Sequence, residues 1–154
     1  MSEAKARQVI NDHRGRVFQY MSEISKDVMR RGNIHDESKL GPEEFPYHVK
    51  EIEEFGKHMF GTPGYDAAKK RLGPAIKHHF LLNRHHPEHF VAEIDGMNLV
   101  DLMEMLCDWK SATLNHPESP GDMKRSLKLA VERYNISPQL AAILYNTIND
   151  YNLS

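Results

Sequence analysis

Apolar residues recur at intervals of three or four along most of the chain, which is the spacing of one face of an α-helix. The first series predicts one long amphipathic helix over residues 4–31, ended by Gly32 and Asn33. A second helix is predicted to open at residues 41–44 and to close at the turn-rich segment 61–64. The stripe positions are Ile10, His13, Val17, Met21, Ile24 and Val28 in the first helix, and Phe45, Val49, Ile52, Phe55 and Met59 in the second.

The rest of the chain has the same periodicity. A third helix starts near Asp66, and Pro74 inside its pattern predicts a kink or break. Ser137 followed by Pro138 predicts an N-cap with proline at the first helical position. Further helices are predicted over about residues 97–114, 122–134 and 138–150. Because no alternating run demands a strand, the sequence predicts a single all-α domain over 1–154, with six or seven helices.

Composition narrows the class of protein. Of the 154 residues, 40% are hydrophobic and 27% charged, which is typical of one globular domain. Twenty basic residues stand against 22 acidic ones, whereas nucleic-acid-binding domains usually carry a basic excess. The polar amino terminus and the absence of a long apolar run predict neither a secretory leader nor a membrane span. Cys107 is the single cysteine, which excludes an internal disulfide and fits the cytoplasm.

Histidine is the unusual component, with ten residues, and it is the commonest metal ligand in proteins. His13 takes a place on the apolar stripe where leucine is expected; taken alone, it is typical of a buried, hydrogen-bonded histidine. His35 and Asp36 are adjacent, so within a helix they would not share a face. At a helix turn, however, the two side chains can converge on one ion. All three residues are therefore candidate metal ligands.

Three carboxylates interrupt the apolar helix that contains Trp109. Asp101, Glu104 and Asp108 follow the spacing i, i+3, i+7 and share one face. For Asp101 and Glu104 we expect an ordinary solvated position. Asp108 lies among apolar neighbours, where a buried carboxylate needs a cation or strong hydrogen bonds. Asp108 is therefore the fourth candidate ligand.

The order of these candidates is a histidine on a helix, a His-Asp pair and a distant aspartate on a later helix. This order resembles the HD superfamily of metal-dependent phosphohydrolases, through His13, His35, Asp36 and Asp108. Lys39 adds a sequence close to the HD-x-x-K form seen in many members. The segments HDESK, NRHH and MLCDW more closely resemble a small family of uncharacterised phage and bacterial proteins.

The resemblance covers about residues 10–115 and implies an HD-like helical bundle; the helices within 122–150 carry no motif of it. It implies that the four candidates hold one divalent ion, which activates water to hydrolyse a nucleotide or another small phosphate ester. Mixed imidazole and carboxylate ligands favour Mn, Fe, Co, Ni or Zn over Mg. We expect the cytoplasm of a bacterium or a phage-infected cell, with no membrane or nucleic-acid partner, and a homodimer stays open.

A second group of histidines lies in the segment 77–86. His79, Asn83 and His86 are spaced i, i+4, i+7, and we expect them to form a polar wall that binds an anionic substrate if the helix continues. Two-metal HD members add two histidines between the His-Asp pair and the last aspartate. We expect one ion rather than two. The histidines expected at the surface or in loops are His48, His89 and His116. The candidates for a second metal are His58, His78, His79 and His86.

Phosphate also needs cationic partners, and the candidates are Arg16, Lys39 and Arg84. Some HD relatives that hydrolyse mononucleotides carry a catalytic glutamate at the position of Lys39. Lys39 itself is therefore one candidate for a catalytic role, and Glu37 or Glu104 could take the place of that glutamate.

Two other classes of function stay open. One is a di-iron oxygenase of HD type, which would use His58 and His79 as additional ligands. The other is a non-catalytic HD-fold binding protein with an incomplete site, in which Asp108 would pair with a lysine or an arginine.

Overall fold

The structure is a computed structural model that describes residues 2–55, 57–58, 61–114 and 121–153, without the side chains of 52, 54 and 55. Over these residues it has seven α-helices and no strand, which confirms the predicted all-α class and the number of helices. None of the described helices is long and apolar enough to cross a membrane. The helices are α1 (Glu3–Ile34), α2 (Phe45–Phe55), α3 (Pro63–Arg71), α4 (Pro74–Leu82), α5 (Leu99–Leu114), α6 (Met123–Arg133) and α7 (Pro138–Asp150).

The chain divides into two compact units, residues 1–34 and 35–154. The first unit consists of α1, whose extent is close to the predicted 4–31. Oppositely charged side chains three or four residues apart support this helix, each pair by about 0.2–0.5 kcal/mol. The pairs are Arg7 with Glu3, Lys26 with Glu23 and Arg30 with Asp27.

In the second unit, α2 begins after a turn over residues 41–44. The sequence predicts Phe45 and Val49 in the core; this is wrong, since they are 48% and 62% exposed. Glu44 instead has no exposed surface. Because successive helical residues point about 100° apart, a start that turns Glu44 inward turns Phe45 outward. The remaining predicted stripe positions lie outside the described side chains: Ile52, Phe55 and Met59.

The predicted break at Pro74 is confirmed, and it divides the third predicted helix into α3 and α4. Gly73 adopts a φ of 53°, a conformation that glycine reaches without steric cost. Pro74 is then the first residue of α4, where a backbone N–H has no helical partner to lose.

Helix α4 ends at Leu82, because Asn83 is extended, with φ −110° and ψ 104°. The short 3-10 turn Pro87–His89 follows. The helix therefore does not continue to His86, and the predicted shared helix face of His79 and His86 does not form.

A hydrophobic core lies between α5, α6 and α7, with the short 3-10 turn Glu93–Gly96 at its edge. Trp109 packs against it from α5. Ser137 caps α7 by accepting a hydrogen bond from the Leu140 N–H, and Pro138 follows it, as predicted. The buried members of the core are Ile94, Leu102, Met105, Leu106, Met123, Leu127, Ala130, Ile136, Leu144 and Ile148.

Helix α5 has a second face that carries its three carboxylates. Asp101, Glu104 and Asp108 lie on this face at the predicted spacing, and none of them is exposed. One side of α5 therefore belongs to the core, and the other side is available to build a polar site.

Candidate metal centre

The candidate site is built around the adjacent residues His35 and Asp36, at the start of the second unit. Asp36 has a positive φ of 57°, a left-handed conformation that Asp adopts more readily than most residues, and it precedes the 3-10 helix Glu37–Leu40. With the chain in this conformation, His35 Nε2 lies 3.4 Å from Asp36 Oδ2. The two neighbouring side chains therefore converge at a turn, as the sequence predicts.

Three histidines surround the other oxygen of Asp36. His79 Nε2 lies 3.2 Å and His85 Nε2 lies 3.4 Å from Asp36 Oδ1. His86 Nε2 lies 2.9 Å from His79 Nε2. This approach depends on the turn after α4, which the His86 N–H closes by donating to Asn83 O at 3.3 Å. The end of the helix thus brings together histidines that a continuous helix would hold apart.

Asp108 of α5 lies on the side of His35, with Oδ1 at 3.5 Å from His35 Nε2. Together these side chains form two overlapping sets of four residues. In each set the possible ligand atoms all lie within 4.8 Å of one another. The first set is His35, Asp36, His85 and Asp108, and the second set is Asp36, His79, His85 and His86.

Buried polar atoms without hydrogen-bond partners lie where the two sets overlap. Asp36 Oδ1 and both ring nitrogens of His85 are buried and make no hydrogen bond. Leaving such a group unpaired costs about 1–3 kcal/mol, and more where the group is charged. A cation held at this point would satisfy Asp36 Oδ1 and His85 Nε2 at once. Imidazole and carboxylate donors suit a divalent transition metal, so the residues present fit such an ion.

The neighbours of His35 favour its charged form in the metal-free protein. The hydrogen bond with Asp108 raises the pKa of His35 to about 9, against the effect of burial and with further contributions from Glu104 and Asp36. A metal ion at His35 would therefore replace a proton.

Asp36 and His86 already have the forms that bind metal. Burial alone would raise the pKa of the Asp36 carboxyl, but His79 and Lys39 outweigh it and hold that pKa well below its usual range. Burial, followed by the positive charges that His85 and His79 can carry, lowers the pKa of His86 to about 2. Asp36 is thus a carboxylate and His86 a neutral imidazole.

The model of a family of unknown function, DUF5662, matches residues 2–150 of the chain. The chain belongs to this family. Comparisons with curated proteins and with solved structures gave no match. The DUF5662 match includes all seven helices and both sets of possible ligands, so the candidate site lies wholly within the family's span.

The sequence-predicted ligands of this DUF5662 chain fall into both units. His35, Asp36 and Asp108 lie together in the second unit, as the first set shows. His13 and the phosphate-binding candidate Arg16 lie on α1, in the first unit. Their part in the site stays a prediction.

Two further candidates lie near the His-Asp turn. The Lys39 ammonium group donates a hydrogen bond to Asp36 Oδ2, and its side chain is 37% exposed, so it stands at the edge of the site. Glu37, a candidate catalytic residue, is exposed in the same turn. Of these two candidates, Lys39 is therefore the one that contacts a residue of the site.

Arg84 and Asp101 form an ion pair beside the site. The Arg84 guanidinium donates to both oxygens of Asp101, at 3.1 and 3.0 Å. Asp101 has no exposed surface, so its predicted solvated position is wrong. The physical reason is that Asp101 accepts these two hydrogen bonds from Arg84 and a third from the Asn98 N–H, at 2.9 Å. Arg84 is thereby a structural partner of α5 in this arrangement.

Glu104 was also predicted on a solvated face, and this too is wrong. Its side chain is only 13% exposed, because it contacts His35 and His85. The Asn83 side chain, predicted to line the site, donates to Ser38 Oγ and to the carbonyl oxygen of its own helix neighbour four residues earlier, each at 2.8 Å.

The remaining histidines lie outside both sets. His78 Nδ1 is hydrogen-bonded with Glu44 at 2.7 Å, and His58 is half-buried. His48 and His89, expected at the surface or in loops, are half-buried, and His116 lies outside the described residues.

Two residues of the site were missed by sequence reasoning. His85 belongs to both sets, and the only signal for it was its place in the NRHH segment. Glu44 is buried against two histidines, and a glutamate before a helix gives no such signal. Both depend on contacts between distant parts of the chain.

Proposed function

We propose that this protein is a metal-dependent phosphohydrolase that acts on a nucleotide or another small phosphate ester. The observation that carries the proposal is the group of inward-facing donors around Asp36, whose Oδ1 is buried and unpartnered beside His85 Nε2. A carboxylate whose buried oxygen lies among imidazole nitrogens is arranged as a metal ligand is. The resemblance to HD phosphohydrolases supplies the reaction class.

The geometry favours two ions over the single ion expected from the sequence. Asp36 presents Oδ2 to His35 and Oδ1 to His79 and His85, so its two oxygens point into different sets. His35, Asp36 and Asp108 would hold one ion, and His79, His85 and His86 would hold a second with the shared Asp36. When bound, such ions make water acidic enough to act as a nucleophile near neutral pH and neutralise charge on a phosphoryl group.

The chain's own residues would position the substrate around this centre. Lys39 stands at the edge of the site with its ammonium group against Asp36. Once a bound ion neutralises Asp36, Lys39 can donate to a phosphate oxygen instead. His86 is kept neutral by burial, so its ring would add no positive charge to the centre. Binding of an anion would therefore depend on Lys39 and the ions.

A di-iron oxygenase is the second candidate, because the two sets together offer enough ligands for two iron ions. Four histidines and two carboxylates make a nitrogen-rich ligand group that suits iron as well as zinc or manganese. The distinction therefore rests on which ion is bound and on whether oxygen is consumed.

The test is metal analysis of the purified protein, followed by a phosphate-release screen over nucleotides and simple phosphate esters. We expect bound divalent metal and release of phosphate that a chelator abolishes and metal restores. Asp36→Asn should lose both, whereas Asp95→Asn, at an exposed carboxylate, should keep both. Iron with substrate-dependent oxygen uptake and no phosphate release would favour the oxygenase. If the protein contains no metal and still binds nucleotide, it is a non-catalytic binding protein and the proposed hydrolase is wrong.

A further inference from the structure

A buried glutamate contacts a histidine of the second set, at the ring nitrogen that does not face Asp36. Glu44 precedes α2 and its side chain has no exposed surface. One of its oxygens lies 2.7 Å from His78 Nδ1 and the other lies 2.9 Å from His79 Nδ1. A carboxylate offers only acceptor oxygens, so at these distances the histidine nitrogens that face Glu44 donate.

This arrangement decides which nitrogen of His79 faces the site. With Nδ1–H donating to Glu44, Nε2 points toward Asp36 Oδ1 and His86 Nε2, at 3.2 and 2.9 Å. His79 Nδ1 also lies 3.1 Å from Asn83 Nδ2 and 3.2 Å from Ser38 Oγ. The amide has nearer acceptors for both of its protons in Ser38 Oγ and the His79 carbonyl, each at 2.8 Å. His79 Nδ1 is thus left to donate to its closest partner, the Glu44 carboxylate at 2.9 Å.

Glu104 has the same relation to the first set. His35 Nδ1 is hydrogen-bonded to Glu104 Oε1 at 2.9 Å, while His35 Nε2 faces Asp36 and Asp108. His85 Nδ1 lies 3.0 Å from the same oxygen, outside hydrogen-bond alignment. Glu104 stands one turn from Asp108 on α5, so one helix carries both a ligand and the group behind another ligand.

We infer that Glu44 and Glu104 are positioning residues that hold His79 and His35 with Nδ1–H turned away from the metal centre and Nε2 turned toward it. The inference rests on the proposed metal centre and adds residues that touch neither metal nor substrate. A carboxylate behind a ligand histidine fixes the tautomer and the ring orientation, and it makes Nε2 a stronger donor. Loss of such a group typically lowers metal affinity about 10–100-fold.

The first experiment measures Zn²⁺ and Co²⁺ affinity by chelator competition. Glu44→Gln and Glu104→Gln should each weaken binding about 10–100-fold. His78→Ala is the matched control for Glu44, because it removes the other hydrogen bond of that carboxylate without touching either set. Glu132→Gln, at an exposed glutamate of α6, controls for the change of side chain. Unchanged affinity in both glutamine variants, with the fold intact, would overturn the inference.

The second experiment needs no metal and no variant. Long-range proton–nitrogen NMR of the metal-free wild-type protein reports which ring nitrogens carry protons. We expect His79 to carry its proton on Nδ1 and to have a bare Nε2. A bare Nδ1 with the proton on Nε2 would overturn the inference even if Glu44→Gln fails to fold.

The two experiments separate the possible failures. If wild-type protein binds neither Zn²⁺ nor Co²⁺, the proposed function fails, whatever the tautomers are. If it binds metal tightly while His79 has a bare Nδ1, the metal centre stands and the positioning role of Glu44 is wrong.

Discussion

The Nε2 atoms of His79 and His86 lie 2.9 Å apart, although α4, which carries His79, ends at Leu82. Two ring nitrogens at this distance need a proton between them or a cation that both bind. Because burial lowers the pKa of His86 to about 2, its ring is neutral and a metal ligand in form. The pair is therefore a direct place to test the second set.

His79→Ala should lower metal affinity by more than about 100-fold, since it removes a ligand rather than a group behind a ligand. His78→Ala, one residue earlier on the same helix, should leave affinity within a few-fold of wild type, because His78 contacts Glu44 but belongs to neither set. Each variant removes one hydrogen bond from Glu44. The difference between the metal affinities of the two variants therefore measures the metal contact of His79. Chelator competition with Zn²⁺ measures both, and equal losses would contradict the assignment of His79.

Two aspartates of α5 should separate metal binding from stability. Asp108→Asn should abolish metal binding and metal-dependent phosphate release, because Asp108 Oδ1 faces His35. Asp101→Asn should instead lower the free energy of unfolding by about 1–3 kcal/mol, since it weakens the pairing of a buried carboxylate with a partly exposed arginine. Urea unfolding and metal content, measured on both, check this. The opposite ranking would mean that Asp101 is the ligand.

Metal binding should release a proton from His35. Its pKa is raised to about 9 in the metal-free protein, so the charged form adds stability below the unfolded pKa of about 6.5, and that stability is lost as pH rises through 9. Below pH 9 the ion must displace this proton from the folded protein, so affinity should rise with pH by up to about tenfold per unit. Calorimetry at pH 7.5 in buffers of different ionisation enthalpy should show about one proton released from His35 per chain. No release at that pH would contradict the raised pKa.

The break between α3 and α4 should depend on glycine at position 73. Gly73→Ala should destabilise the fold by about 1–3 kcal/mol, because φ 53° with ψ −124° is strained for any residue with a Cβ. Gly15→Ala in α1 is the control of opposite sign: the added carbon meets nothing within 4 Å, and alanine favours a helix by about 1 kcal/mol. Thermal unfolding measures both changes. A neutral Gly73→Ala would mean that the turn tolerates a side chain.

Local signals predicted most of the secondary structure. The periodicity of apolar residues predicted α1, α5, α6 and α7 to within a few residues, since 3.6-residue spacing needs only neighbouring positions. Ser137 and Pro74 also acted as predicted, as a cap and as a break, because both effects operate within one turn of the backbone.

The candidate site was predictable only where its members are close in sequence. His35 and Asp36 converge because the backbone turns between them, and the carboxylates of α5 share a face because of their spacing. Which of those carboxylates meets the histidines was not decided by spacing. Asp101 pairs with Arg84, while Asp108 faces His35, and that choice depends on what packs against each turn of α5.

The sequence by itself determined the all-α class, the positions of most helices and the presence of a histidine- and carboxylate-rich motif set, since each is encoded in neighbouring residues. Only the tertiary structure decided that α4 stops before His85 and His86, so that both rings return toward Asp36. It also decided that Glu44 is buried behind His79. The physical reason is that burial and ion pairing are set by segments that meet in space, and no local pattern encodes which segments those are.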